Sequence, residues 1–120
     1  MKNSRESLRF LLLASALAGA LLFETAQPAS AAVLVRAKCN FFKPARVKVA
    51  KGTKVVWKSK CRSHTVTAYS SNWSKDVVLH LGDTTAKRFK HRGVFLYRCR
   101  FHSTLVAGVC SGMCGRVRVT

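Results

Sequence analysis

Acidic side chains are nearly absent from this sequence. Its 120 residues hold 22 lysines and arginines against four aspartates and glutamates, a net charge of +18 with histidine neutral. Glu6 and Glu24 lie among the first 31 residues, so Asp76 and Asp83 are the only acids in the rest of the chain. No acid–base pair or substrate cleft is visible in the sequence, and the chain is not expected to be an enzyme. Several other features are missing. No window carries an apolar stripe at helical spacing with caps at its ends, which excludes a helical bundle. No apolar run follows Phe23 and no cysteine adjoins the earlier one, so neither a later membrane span nor a lipid-anchoring cysteine is expected. Nothing repeats and no stretch is of low complexity.

The chain opens on a leader. Lys2, Arg5 and Arg9 precede "FLLLASALAGALLF", an apolar run too short for a membrane span, and Ala29-Ser30-Ala31 supplies a small-residue cleavage pattern. Residues 1–31 therefore read as a signal peptide, and the product as secreted or periplasmic. The 89 residues from Ala32 to Thr120 make one small domain. A chain of this size buries only about two-thirds of its unfolded surface, so covalent or metal staples help to hold it. Three of the 22 basic residues belong to the leader, which leaves 19 against two acids, or +17. Such a field speeds encounter with anionic partners, here expected to be an acidic redox protein or an anionic envelope surface. No nucleic-acid motif accompanies the charge, so no specific nucleic-acid partner is expected.

The domain reads as short strands. Residues 32–38 are extended. Residues 45–60 alternate apolar and basic residues on either side of Gly52-Thr53, the pattern of two strands about a tight turn. "SHTVTAYS" (63–70) alternates again, with Val66 and Ala68 on one face and Thr65, Thr67 and Tyr69 on the other. Residues 83–90, 93–101 and 115–120 complete the set, and 71–83 follows no clear period. Strands at spacings of about ten residues indicate an all-β antiparallel sandwich or barrel of about seven to eight strands. Trp57, Phe89, Phe95 and Tyr97 are the expected core. His80 and His91 are expected to be solvated.

All five cysteines, Cys39, Cys61, Cys99, Cys110 and Cys114, follow the leader, and five is odd. An exported chain oxidises spare thiols, so one sulfur needs another occupant. In "YRCRFH", Cys99 stands three residues before His102, while His64 opens an earlier strand and Met113 lies beyond. Two imidazoles, a thiolate and a distant thioether are the donor set of a type 1, or blue, copper site. Thiolate is soft and delocalises charge onto copper, imidazole suits both oxidation states, and a weak axial sulfur tunes the potential.

These residues carry a resemblance. "FFKPARVKVAKGTKVVWKSKCRSHTVTA" followed by "GVFLYRCRFH" resembles the cupredoxins, specifically the small plastocyanin- and amicyanin-like proteins, over nearly all of residues 39–120. The resemblance implies a Greek-key sandwich with one copper ion at a pole. It makes His64, Cys99 and His102 the equatorial ligands and Thr65 the residue whose backbone supports the thiolate. Its usual methionine follows the second histidine by about four residues, whereas ten residues, "STLVAGVCSG", separate His102 from Met113. "MCGRVRV" still looks like the family's lead into the last strand and makes Met113 the axial ligand. "CSGMCG" is also similar to the dicopper motif of cytochrome oxidase subunit two, but "RVRVT" supplies neither the histidine nor the methionine that motif requires.

With Cys99 on copper, four cysteines remain and admit three pairings. The strand order implied by the resemblance favours Cys39 with Cys61 and Cys110 with Cys114; crossed bridges are the alternative. The family's apolar docking patch would fall on Phe41, Phe42, Leu105, Val106 and Val109; the alternative is that these loop residues simply cover the copper. The expected function is a monomeric electron carrier working through Cu(II)/Cu(I). The alternatives are copper storage or delivery to an exported cuproenzyme, and a metal-free cationic binding module on the same scaffold.

Overall fold

Alternating apolar and charged residues give each strand one face for the interior and one for water. A computed structural model describes residues 30–120, together with residues 19 and 21. The rest of the expected leader lies outside the described residues. The strands are β1 (Val33–Ala37), β2 (Phe42–Lys43), β3 (Arg46–Val49), β4 (Thr53–Ser59), β5 (His64–Ala68), β6 (Asp76–Leu79), β7 (Thr84–Phe89), β8 (Gly93–Val106) and β9 (Val109–Val119). They form a sandwich of two sheets, ordered β2-β1-β4-β7 and β3-β9-β8-β5-β6. β1 runs parallel to β4 and β3 parallel to β9, and the other pairs are antiparallel. The expected all-β sandwich is present, with nine strands among the described residues rather than seven to eight, because the two-residue β2 and the short β6 carry too little pattern to read.

The segment 45–60 gives two strands, but they do not pair with each other. β3 and β4 lie in opposite sheets. Val47 and Val49 point inward from one layer, Val55 and Trp57 from the other, and the Thr53 N–H closes the turn onto the Ala50 carbonyl at 3.2 Å. Facing valines bury more apolar surface across the sandwich than a flat hairpin would.

Aromatic rings fill the interior. Trp57 meets Tyr97 edge-on at 5.3 Å between centroids, Phe42 meets Tyr97 at 4.9 Å, and Phe89 meets Phe95 at 4.9 Å. Each such pair adds about 0.5–1.5 kcal/mol beyond area burial. The four aromatics expected in the core are all there. Phe42, expected on a docking patch, is buried with them, because its place on β2 turns the ring toward Tyr97. Gly115 lies opposite Tyr97 across the β8–β9 ladder, and any side chain there would collide with the phenol ring.

The last two strands are longer than their sequence pattern. β9 begins at Val109 rather than near Gly115, because the ten residues between His102 and Met113 fold into a hairpin extending both strands. Ala107 (φ 50°) and Gly108 (φ 76°) supply the two left-handed residues of a tight hairpin turn. Two disulfides close the fold, Cys39–Cys61 and Cys110–Cys114. The first follows from the β1–β4 register: Ala37 pairs with Ser59, and each cysteine stands two residues further on.

Candidate metal centre

Cys99 is the one cysteine without a bridge, and it is fully buried. Residues three apart on a regular strand point to opposite faces, so Cys99 and His102 need a distortion to converge. β8 provides it. Arg98 pairs with Cys114 and Ser103 with Gly112, so four residues of β8 stand against Met113 alone on β9. This irregularity re-aims both side chains, as bulges beside functional sites commonly do. Ser103 Oγ anchors it by donating to the Cys99 carbonyl at 2.5 Å.

His64 reaches the same point from the start of β5. Cys99 Sγ lies 3.7 Å from His64 Nδ1 and 3.4 Å from His102 Nδ1, and the two rings are 5.0 Å apart. All three donor atoms fall within 4.8 Å of one another. By the bond lengths of zinc sites, about 2.0 Å from imidazole and about 2.3 Å from thiolate, donors opened by about 110–120° stand about 3.5–3.7 Å apart. The His64 separation falls in that range and the His102 separation just below it. They suit hydrogen bonds to sulfur and equally suit donors sharing one ion.

The protonation state is prepared as well. His64 Nε2 lies against the Cys61 carbonyl, so Nε2 carries the proton and Nδ1 turns its lone pair toward the sulfur. Burial pulls the His64 pKa below its ordinary value; the Cys61 carbonyl opposes this, and His102 and Arg62 reinforce it. Neutral imidazole, the ligating form, is thereby favoured. The Thr65 N–H points at Cys99 Sγ from 3.4 Å, as the resemblance implied.

Behind Thr65 stands a closed polar ring that the sequence did not announce. The Arg100 backbone N–H donates to Thr65 Oγ1 at 2.8 Å, Thr65 and Thr67 hydroxyls are 2.9 Å apart, and Thr67 Oγ1 is 2.8 Å from Asp76 Oδ1. The Arg100 Nε–H returns to the same Asp76 oxygen at 3.0 Å. With one proton per hydroxyl, Thr65 donates to Thr67 and Thr67 to Asp76. The Thr67 hydroxyl and then the Arg100 guanidinium hold the Asp76 carboxyl below the usual carboxylate range. Through the ring, one of two acids in the domain fixes the backbone on both sides of the thiol.

Met113 is fully buried, opposite the irregularity that holds Cys99 and His102. Gly112, before it, has φ 96°, and a Cβ there would come within 2.5 Å of the His102 carbonyl oxygen. Glycine is required for this close approach. His102 is half-buried, and Phe101 beside it is 53% exposed, as is Phe41. Leu105, Val106 and Val109 are exposed on the hairpin, as expected; Phe101 was not among the expected patch residues. His80 and His91 are exposed and outside the centre.

A mixed two-sheet sandwich with two histidines and a cysteine gathered at one pole is the arrangement of a cupredoxin, and among solved structures the chain is similar to several. The purple cupredoxin from Nitrosopumilus maritimus is 20% identical, covering 73% of this chain and 99% of that one with a TM-score of 0.59. Amicyanin from Paracoccus versutus is 20% identical, covering 76% and 83%, with a TM-score of 0.61. The copper-containing nitrite reductase from Thermus scotoductus matches at 20% identity over 75% of this chain but only 22% of its own, with a TM-score of 0.61. No protein-family model matches the sequence, and no curated protein does either. The chain has the cupredoxin fold, and its His64–Cys99–His102 group is suited to a type 1 copper site.

Proposed function

We propose that the protein is an exported type 1 copper electron carrier, with His64, Cys99 and His102 as equatorial ligands and Met113 as the weak axial donor. The observation that carries this reading is the buried, unbridged thiol of Cys99 facing two imidazole nitrogens in a chain whose other four cysteines are oxidised. Bound copper supplies one-electron chemistry between Cu(II) and Cu(I). The protein holds the donors in place through the Cys61 carbonyl, the Thr65 N–H and the Ser103 anchor, which suits transfer with little ligand movement. Half-buried His102, flanked by exposed Phe101, offers the shortest protein route from the centre to a partner. The two disulfides and the leader pattern support an oxidising compartment.

The burial of Met113 opposite residues 99–102 supports its axial role, since the ten inserted residues leave and return as a hairpin rather than displacing it. Copper delivery, the second reading, needs a site that yields its metal to a target; the network behind Thr65 favours a rigid one. Titration with Cu(II) is expected to saturate at about one equivalent and to give an intense visible thiolate-to-copper band. A colourless product would overturn the proposal, and rapid loss of copper to mild chelators would favour delivery. Met113→Leu is expected to keep the colour and raise the reduction potential, measured by voltammetry. An unchanged potential would remove Met113 from the ligand set.

A further inference from the structure

The two outer faces of the sandwich are both cationic, but they are built from different cations. On the four-stranded sheet, Arg36 stands directly between Lys43 and Lys58, and Lys54 lies further along the same face of β4, beyond Val56. On the five-stranded sheet, Arg46 pairs with Arg116 and Lys48 with Arg118. Arg98 and Arg100 extend that face along β8. With Arg88 of β7 paired to Lys54, the first face carries three lysines and two arginines, whereas the second carries five arginines and one lysine. Arginine, with its planar fork of donors, is enriched at protein interfaces, whereas lysine is depleted there.

We infer that the arginine face of β3 and β9 is a docking surface for an acidic polypeptide. Like charges directly opposite on neighbouring strands are unfavourable by about 0.2–1 kcal/mol per pair, and both faces carry such pairs; what sets this block apart is that guanidinium faces guanidinium, Arg46 against Arg116, at the rim of a cleft. Protection of an exposed edge explains Arg46 and Lys48 on β3. It does not explain Arg116 and Arg118, because β9 is an inner strand. No acid within the domain offsets them. Asp76 is engaged by Arg100 and Thr67, and Asp83 accepts from the His80 N–H.

Beside the block lies a cleft of about 270 Å³ between Arg46, Arg116, Tyr69 and Leu96. Two guanidinium groups over an aromatic and an aliphatic side chain fit a carboxylate carried on a short apolar stem, as in glutamate. Same-face residues of an extended segment repeat about every 6.8 Å, the spacing of the two cationic rows along the strands. A bilayer presents its phosphates as a plane and not on apolar stems that enter a cleft, and the lone half-buried Tyr69 gives no stacking platform for nucleic-acid bases. Arg116 is three residues from Met113, roughly 10 Å along β9, so a partner held here sits beside the proposed copper pole. The inference rests on the proposed function only for the partner's redox role; the docking itself needs no copper.

The test uses poly-L-glutamate as the probe and two variants that each remove four positive charges. One is Arg46→Gln/Lys48→Gln/Arg116→Gln/Arg118→Gln; the other is Arg36→Gln/Lys43→Gln/Lys54→Gln/Lys58→Gln. The first is expected to weaken binding at least about tenfold more than the second, in copper-free and copper-loaded protein alike. It is also expected to raise the unfolding temperature, since two repulsive pairs disappear, which guards against a folding artefact. Equal losses in the two variants would reduce the effect to net charge and overturn the inference. So would tighter binding, dependent on these four residues, to phosphatidylglycerol vesicles or duplex DNA than to poly-L-glutamate. Failure here leaves the copper spectrum unchanged, whereas failure of the proposed function removes the spectrum and leaves this binding intact.

Discussion

Cys99→Ser is expected to abolish the intense visible absorption of the copper-loaded protein while leaving the sandwich folded. The band requires charge to move from a soft sulfur to copper, and a serine hydroxyl supplies neither the polarisable orbital nor an ionised form near neutral pH. Copper affinity is expected to fall by more than about 100-fold, since loss of outer partners of a ligand alone costs 10–100-fold. The fold tolerates the change because serine is smaller than cysteine and sits at the sandwich's pole, where the Thr65 N–H can donate to its oxygen. The stability change is held to about 1–2 kcal/mol, the scale of one perturbed buried hydrogen bond. The checks are a visible spectrum and copper competition, with far-ultraviolet circular dichroism reporting the fold. Persistence of the band in this variant would remove Cys99 from the centre and the type 1 reading with it.

What could be read from the sequence follows a physical division. Alternation in "ARVKVAKGTKVVWKSK" and in "GVFLYRCRF" marks half-buried strands because one face must be apolar, and those strands are present. His64, Cys99 and His102 were legible because few residue types bind metals softly, and an odd cysteine in an oxidising compartment demands a partner. The pairing of β3 with β9 was not legible: a short strand's own residues cannot say which of two layers it joins, and the parallel partner lies about 70 residues further on. The hairpin of residues 103–112 read as a plain insertion, since Leu105, Val106 and Val109 carry no polar alternation. Thr67, Asp76 and Arg100 stayed hidden for another reason. Each is an ordinary surface residue until β5, β6 and β8 lie side by side, and only then does the ring behind Cys99 close.

Removing the Cys39–Cys61 bridge, as Cys39→Ser/Cys61→Ser, is expected to produce the largest loss of stability. The bond spans a sequence separation of 22 residues, for which loop-closure entropy in the unfolded chain gives about 3 kcal/mol. A domain of this size has roughly 4–13 kcal/mol in all, so the unfolding temperature is expected to drop by roughly 12–24 °C. The Cys110–Cys114 bond, with a separation of four, gives about 2 kcal/mol on the same basis. The two bridges also differ in what they hold. Cys61 presents the carbonyl that fixes the His64 tautomer, in a turn where Arg62 adopts φ 58° and Ser59 Oγ donates to the Arg62 carbonyl at 2.8 Å. Loosening that turn frees His64 to rotate, so the first variant is expected to lose copper to chelators faster as well as to melt earlier. Cys114 instead adjoins Met113, and its release is expected to move the potential more than the melting temperature. Calorimetry, chelator-exchange kinetics and voltammetry on the two variants separate these effects. Equal copper exchange in the Cys39/Cys61 variant and the parent would show that the β4–β5 turn holds His64 without the bridge, and that the disulfide acts on the unfolded chain alone.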